Sequence, residues 1–224
     1  MLPPFYYKDV TEEGLYRYFS EVVQRVGDAR LKIYLYHIPP VAVVGITTRL
    51  VERLLAAYPN TIAGMKDSSA DWNNTKTFLD AFVRAARTVS TARAAHTFDV
   101  FVGSESFLLA NMRNGGAGTI SAIANVNPAA IHKLYREWVR SRTGGNADAR
   151  ADLDDQQQKL NVVREVFSSR KFPSMIAALK QAIAIYADDP AWRTVRPPLV
   201  ELTPEQAKTL AAELKAIGFT MPAL

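Results

Sequence analysis

Short apolar runs alternate with amphipathic stretches over the first part of the chain, a pattern that predicts βα units around a parallel sheet. Five runs read as strands: Leu2–Tyr7, Leu31–Tyr36, Thr61–Lys66, Phe98–Val102 and Ala117–Ser121. Pro39-Pro40 stops the second and Gly103 closes the fourth. Between them the period changes to that of a helix. Thr11 is a predicted N-cap, with Leu15, Tyr18, Phe19, Val22 and Val23 forming one apolar face. Thr47 or Thr48 opens the next helix, with Val51, Leu54 and Leu55 inward, and Tyr58-Pro59-Asn60 ends it. Further helices are expected from about Asn74 to Arg87, around Phe107–Arg113, and from Pro128, which suits a first helical turn.

Past Arg140 the pattern changes. Ser141–Asn146 is polar and contains glycine. Three helices are then expected at about Ala149–Val166, Pro173–Tyr186 and Pro204–Ile217, joined by segments carrying Pro190, Pro197 and Pro198. The reading is an α/β chain in two parts: residues 1–141 as part of a (β/α)₈ TIM barrel, and residues 142–224 as a three-helix extension packed on it. A closed barrel needs eight strands. Five strands fall short of that and give a partial barrel of about five βα units.

Composition narrows the chemistry. None of the 224 residues is cysteine, which excludes disulfides, thiolate catalysis and cysteine-ligated zinc and suits a cytoplasmic enzyme. No apolar run reaches the ~20 residues that span a bilayer, and Met1–Lys8 lacks the basic leader and apolar stretch of a signal peptide. The net charge of +5 raises the question of nucleic acid. However, the basic residues are scattered, the densest groups (Arg136/Arg140/Arg142 and Arg164/Arg170/Lys171) fall on predicted helix surfaces, and no nucleic-acid motif is present. A solvated basic surface is expected instead. His37, His96 and His132 are dispersed without metal-ligand spacing, so no metal site is expected.

Lys66 stands apart from the other lysines because it ends an apolar strand and precedes Asp67-Ser68-Ser69. In parallel α/β folds the C-terminal strand ends form the active face. A neutral amine held there is the nucleophile that condenses with a ketone. The alternatives are a lysine that reaches solvent from a strand end, or one paired with Asp67. Tyr36 ends the preceding strand, where a phenol can move protons for a neighbouring amine, or simply fill the barrel. Tyr6 and Tyr7 end the first strand and admit the same readings, with a subunit contact as the bland one. Gly103-Ser104-Glu105 lies at a strand end, open to a ligand role. Gly115-Gly116-Ala117-Gly118 precedes a strand and suits tight turning and close packing. Neither matches a dinucleotide or P-loop pattern.

These segments come in a telling order: Tyr34-Leu35-Tyr36-His37-Ile38-Pro39, Gly64-Met65-Lys66-Asp67-Ser68-Ser69, Gly103-Ser104-Glu105, and Gly115 through Val126 in the run GGAGTISAIANV. Together, and with the late Val195-Arg196-Pro197-Pro198-Leu199, they resemble the dihydrodipicolinate synthase / N-acetylneuraminate lyase family of class I aldolases. The resemblance covers essentially the whole chain. It implies that Lys66 forms a Schiff base with pyruvate or a related 2-keto acid and that Tyr36 shuttles protons. It further implies that Tyr7 reaches a neighbouring subunit's site, that the Ile120 carbonyl faces the keto acid, and that Gly103, Ser104 and Glu105 meet the polyol chain in sugar-cleaving members. No cofactor is implied. The partners implied are a small keto acid and an aldehyde, possible products including 2-keto-3-deoxy sugar acids, and further copies of the chain in a dimer of dimers.

Two departures bear on the substrate. Val41 stands where the synthases carry an arginine for the carboxylate of aspartate semialdehyde, and His37 replaces a common asparagine. The resemblance also implies that three N-terminal βα units, with a Gly-Thr-Thr-Gly-Glu segment that holds the keto-acid carboxylate, precede this stretch in other members, so that this chain carries units four to eight of an N-terminally truncated barrel. The sequence therefore leaves open a lyase for a pyruvate-derived skeleton, by aldol chemistry or dehydration, a 4-hydroxy-tetrahydrodipicolinate synthase proper, and an inactive truncated homologue.

Overall fold

The structure is a computed structural model that describes residues 1, 7–84, 98–142 and 147–221, with side chains from 152 in the last stretch. Apart from Tyr7, the first predicted strand lies outside the described residues, as do Tyr6 and His96. The other four predicted strands are present as β1 (Ile33–His37), β2 (Ile62–Asp67), β3 (Asp99–Val102) and β4 (Gly118–Thr119). They form one parallel sheet in sequence order, β1-β2-β3-β4. Parallel neighbours joined through helices are how a (β/α)₈ barrel is built.

The chain divides into two compact units, Met1–Ile120 and Ser121–Leu224. In the first, α1 (Glu12–Val26) starts where Thr11 Oγ1 accepts from Gly14 N and stops at Gly27 in the left-handed region. Thr47, not Thr48, caps α3 (Thr48–Ala57), its Oγ1 accepting from Leu50 N. Pro39-Pro40 does more than stop β1: it starts a one-turn helix, α2 (Pro39–Ala42). That turn ends on Val43 at φ 65°, an unusual conformation for a β-branched residue. α4 begins at Trp72, two residues before the predicted start, because Asp71 caps it. It continues as a π-helical stretch over Leu79–Arg84. α5 (Leu108–Arg113) precedes β4.

The core of this unit lies between the sheet and α1, α3 and α4. Leu35, Met65 and Val100 from adjacent strands are fully buried against Phe19, Leu50 and Phe78. Each such side chain contributes about 1.5–3 kcal/mol by leaving water.

The second unit is helical: α6 (Pro128–Ser141), α7 (Ala147–Phe167), α8 (Met175–Tyr186) and α9 (Pro204–Ala216). Thr203 and Gln206 form a capping box at α9. Phe219 packs edge-on against Phe167 and Tyr186, and its carbonyl accepts from the Tyr186 hydroxyl at 2.8 Å. No helix among the described residues is long and apolar enough to cross a membrane.

Candidate active site

Side chains alternate across a strand, and residues paired in a parallel ladder share a face. Tyr36 pairs with Lys66 and Lys66 with Phe101, so these three form one row on the face opposite the helix-packed core. The row lies at the C-terminal ends of β1 and β2. Lys66 is 9% exposed, and its Nζ donates to the Tyr36 hydroxyl at 2.9 Å while sitting 4.4 Å from the ring centroid. A buried amine needs such a partner. Neither bland reading of Lys66 describes what is seen: the side chain is not in solvent, and the oxygens of Asp67 are occupied by other donors.

The row beneath consists of Tyr34, Gly64 and Asp99. The Tyr34 hydroxyl donates to Asp99 Oδ2 at 2.9 Å, and its ring meets Phe101 edge-on. Burial pushes the Tyr34 phenol above its ordinary value, and the Asp99 carboxylate adds to the rise. A Cβ on Gly64 would sit 2.3 Å from the Asp99 carbonyl oxygen, so only glycine lets the two strands approach here.

His37 and Asp67 pair on the other face, toward the helices. His37 Nδ1 accepts from Ile46 N at 2.9 Å, which requires an unprotonated Nδ1. Burial holds the imidazole below its usual value, opposed by the nearby Asp67 charge. Asp67 is 3% exposed and accepts from Ser69 N, Asn74 Nδ2 and Thr75 Oγ1.

The other residues singled out from sequence have local uses. Gly103 N donates to the Asp67 carbonyl at 2.6 Å, and a Cβ at Gly103 would collide with Ser68. Ser104 caps a 3₁₀ turn by accepting from Ser106 N. Glu105 is completely buried. Ile120 N donates to Val102 O at 2.9 Å, which extends the β3–β4 ladder and leaves the Ile120 side chain 36% exposed. Tyr7 is exposed, and the adjacent Lys8 donates to the Ala42 carbonyl at 2.9 Å. Val41 is exposed on α2. In the glycine cluster, Gly115 and Gly118 have positive φ and Gly116 packs on Asn111, as tight turning requires.

A cavity of about 300 Å³ lies elsewhere, lined by Asp9, Val10, Leu15, Val43, Val44 and Leu50 among others. Its lining contains no lysine, whereas the strand ends bring the Lys66 amine to the Tyr36 phenol.

Sequence reading did not single out Phe101, Asp99 or the partners of Asp67. The alternation within β3 marks Phe101 and Asp99 as facing the same side. Nothing local links Asp67 to Thr75, because that contact depends on where α4 begins.

The profile of the dihydrodipicolinate synthetase family matches residues 1–217. An uncharacterized DapA-like lyase of Chloroflexus aurantiacus is 29% identical over 97% of this chain and 64% of its own length. A 4-hydroxy-tetrahydrodipicolinate synthase of Thermus thermophilus is 40% identical over 134 residues, 60% of this chain and 40% of that protein. Among solved structures, YagE, an E. coli K12 prophage protein of the dihydrodipicolinic acid synthase family in complex with pyruvate, superposes with a TM-score of 0.76. It is 26% identical and is covered over 65% of its length by 97% of this chain. This chain thus spans a little under two thirds of such relatives. With a family profile matched almost end to end and the parallel strands in place, the chain belongs to the dihydrodipicolinate synthetase family.

Proposed function

We propose that this chain carries the imine-forming part of a class I lyase that acts on pyruvate or a pyruvate-derived 2-keto acid. The observation that supports it is the 2.9 Å contact between the buried Lys66 Nζ and the half-buried Tyr36 hydroxyl at the strand ends. Neutral Lys66 adds to the keto carbon, and Tyr36 passes protons to and from the carbinolamine as water leaves. The resulting iminium withdraws electrons, so a proton is lost from the adjacent carbon to give an enamine. The enamine attacks an aldehyde, and the reverse sequence cleaves the C–C bond. Loss of a hydroxyl from the same skeleton gives the dehydratase outcome. Neither route needs a metal or organic cofactor.

Pyruvate as the keto acid is supported by its presence in the YagE complex. For the acceptor, Val41 offers no charge to a carboxylate. Losing a charge-assisted hydrogen bond costs about 1.5–3 kcal/mol, which favours a hydroxylated or sugar-acid aldehyde. The name shared by several relatives supports the second reading, 4-hydroxy-tetrahydrodipicolinate synthase activity. In the family arrangement Tyr7 serves a neighbouring subunit's site within a homotetramer, while Gly103, Ser104, Glu105 and the Ile120 carbonyl border the substrate.

Borohydride reduction in the presence of pyruvate tests the core of the proposal. A stable pyruvate-derived mass is expected on Lys66 and absent in Lys66→Arg. Labelling that persists in that variant sinks the assignment, and no labelling of the native chain favours an inactive homologue. Running the same assay with competing aldehydes separates the readings: efficient turnover of aspartate semialdehyde supports the synthase.

A further inference from the structure

We propose that Asp67 is a positioning residue. Its buried carboxylate fixes the end of β2 to the loop and helix that follow, and so sets the Tyr36–Lys66 contact on the other face of the strand. This deepens the reading of Lys66 as the imine-forming amine and rests on it.

Asp67 is tied in every direction. Oδ1 accepts from Ser69 N at 2.9 Å, and Oδ2 accepts from Asn74 Nδ2 at 3.1 Å and Thr75 Oγ1 at 2.6 Å. The carboxylate therefore closes the segment from Ser68 to Asp71 onto the residue next to Lys66 and docks the first turn of α4 there. The main chain is stitched as well. The Asp67 carbonyl accepts from Gly103 N at 2.6 Å, and the next amide, Ser68 N, donates to the His37 carbonyl at 2.7 Å. Thus β1, β2 and β3 are held together at the level of Asp67, one residue beyond the Tyr36–Lys66–Phe101 row.

A structural acceptor at this place does not need a charge. Burying a carboxylate among neutral donors is costly unless its hydrogen bonds are met, and among the described residues no ion pair is made to Asp67. What the carboxylate alone provides is acceptor capacity on both oxygens. An amide has one acceptor oxygen, so its NH₂ faces donors unless Thr75 and Asn74 both reorient. The peptide link from Asp67 carries any resulting rotation to the Cα of Lys66. A misplacement of ~1 Å at reacting groups costs on the order of 100-fold in rate.

The test compares Asp67→Asn and Thr75→Val with Val51→Ala, a core change in α3 that serves as a stability control. Two quantities are read: the rate at which the reducible pyruvate adduct appears on Lys66, and the NMR signals of ¹³C-labelled tyrosine ζ and lysine ε carbons. Asp67→Asn should slow adduct formation by ~10–100-fold and shift the Tyr36 and Lys66 signals. Thr75→Val should do the same to a smaller degree. Val51→Ala should lower the melting temperature yet leave both readings near native. The proposal is overturned if the two latch variants trap pyruvate at the native rate with unshifted signals. It is equally overturned if Val51→Ala, at a similar loss of melting temperature, slows trapping as much. Should Asp67→Asn fail to fold, Thr75→Val decides. If the native chain forms no adduct, the imine reading fails by itself and the two NMR signals decide the positioning role.

Discussion

β1 and β2 are paired from Ile33–Ile62 to His37–Asp67, whereas β3 and β4 are paired only at Phe101–Gly118 and Val102–Thr119. The two halves hold their strand ends by different means. In the first half, side chains facing the helices do it: His37 accepts from the loop before α3, and Asp67 accepts from the loop before α4 and from the first turn of α4. In the second half one amide spans both strands. Asn111, fully buried in α5, donates to the Val100 and Gly118 carbonyls at 2.9 Å each. Gly116 packs against that amide so closely that a Cβ there would overlap it. A long ladder tolerates side-chain fastening because the backbone already sets the register. A short ladder needs a group that binds the backbone itself.

If that contrast is right, Asn111→Ala should do the greatest damage to stability. It removes two buried hydrogen bonds and leaves a cavity, at a cost of about 3 kcal/mol. For a chain of this size that lowers the melting temperature by roughly 6–12 °C. Circular dichroism melts check this, and an unchanged melt would show that the β3–β4 pairing does not depend on the amide. Lys66 in the folded variant should still label with pyruvate, since the dyad belongs to the other half.

Acid should act on the first half. His37 is held neutral below its ordinary pKa by burial, with Asp67 pulling the other way. In the unfolded chain the imidazole takes up its proton near pH 6.5, whereas in the fold it resists. Its contribution is therefore intact above about pH 6.5 and is lost as the pH falls through the depressed folded value. His37→Gln removes that titration. The native chain should lose more melting temperature between neutral and mildly acidic pH than the variant does, and parallel losses would count against the imidazole as the source.

The smallest effect is expected at Val43. Its left-handed backbone costs a β-branched residue ~1–3 kcal/mol, and glycine removes that at an entropic cost of roughly 0.5–1 kcal/mol. Because Val43 is exposed, little packing is lost. Val43→Gly should raise the melting temperature by about 1–3 °C; a fall would mean that its side chain holds the α2 turn.

Local physics explains what could be read from the chain. The runs Leu31–Tyr36 and Thr61–Lys66 announced β1 and β2, since a parallel strand covered on one side by helices needs Leu35 and Met65 there. Thr11 was readable as a cap because a hydroxyl and its amide target are three residues apart. Lys66 and Tyr36 stood out because each ended such a run, and the family motifs carried the rest. The Tyr34–Asp99 hydrogen bond joins groups 65 residues apart and depends on two register choices. The burial of Glu105 in the 3₁₀ turn that Ser104 caps had no local signal in the sequence. The first predicted strand, outside the described residues except for Tyr7, is untested in either direction.

The order β1-β2-β3-β4 has a kinetic meaning. Among the described strands each neighbouring pair comes from consecutive βα units, at spacings from 17 residues between Phe101 and Gly118 to 35 between Gly64 and Asp99. Closing a flexible loop costs only ~0.6 kcal/mol more for each doubling of its length, so no step of this ladder carries a large connectivity penalty over another. The sheet can grow by accretion along the chain, as a zipper does. Its slowest event is then set by how firmly each added unit packs, not by the search for a distant strand.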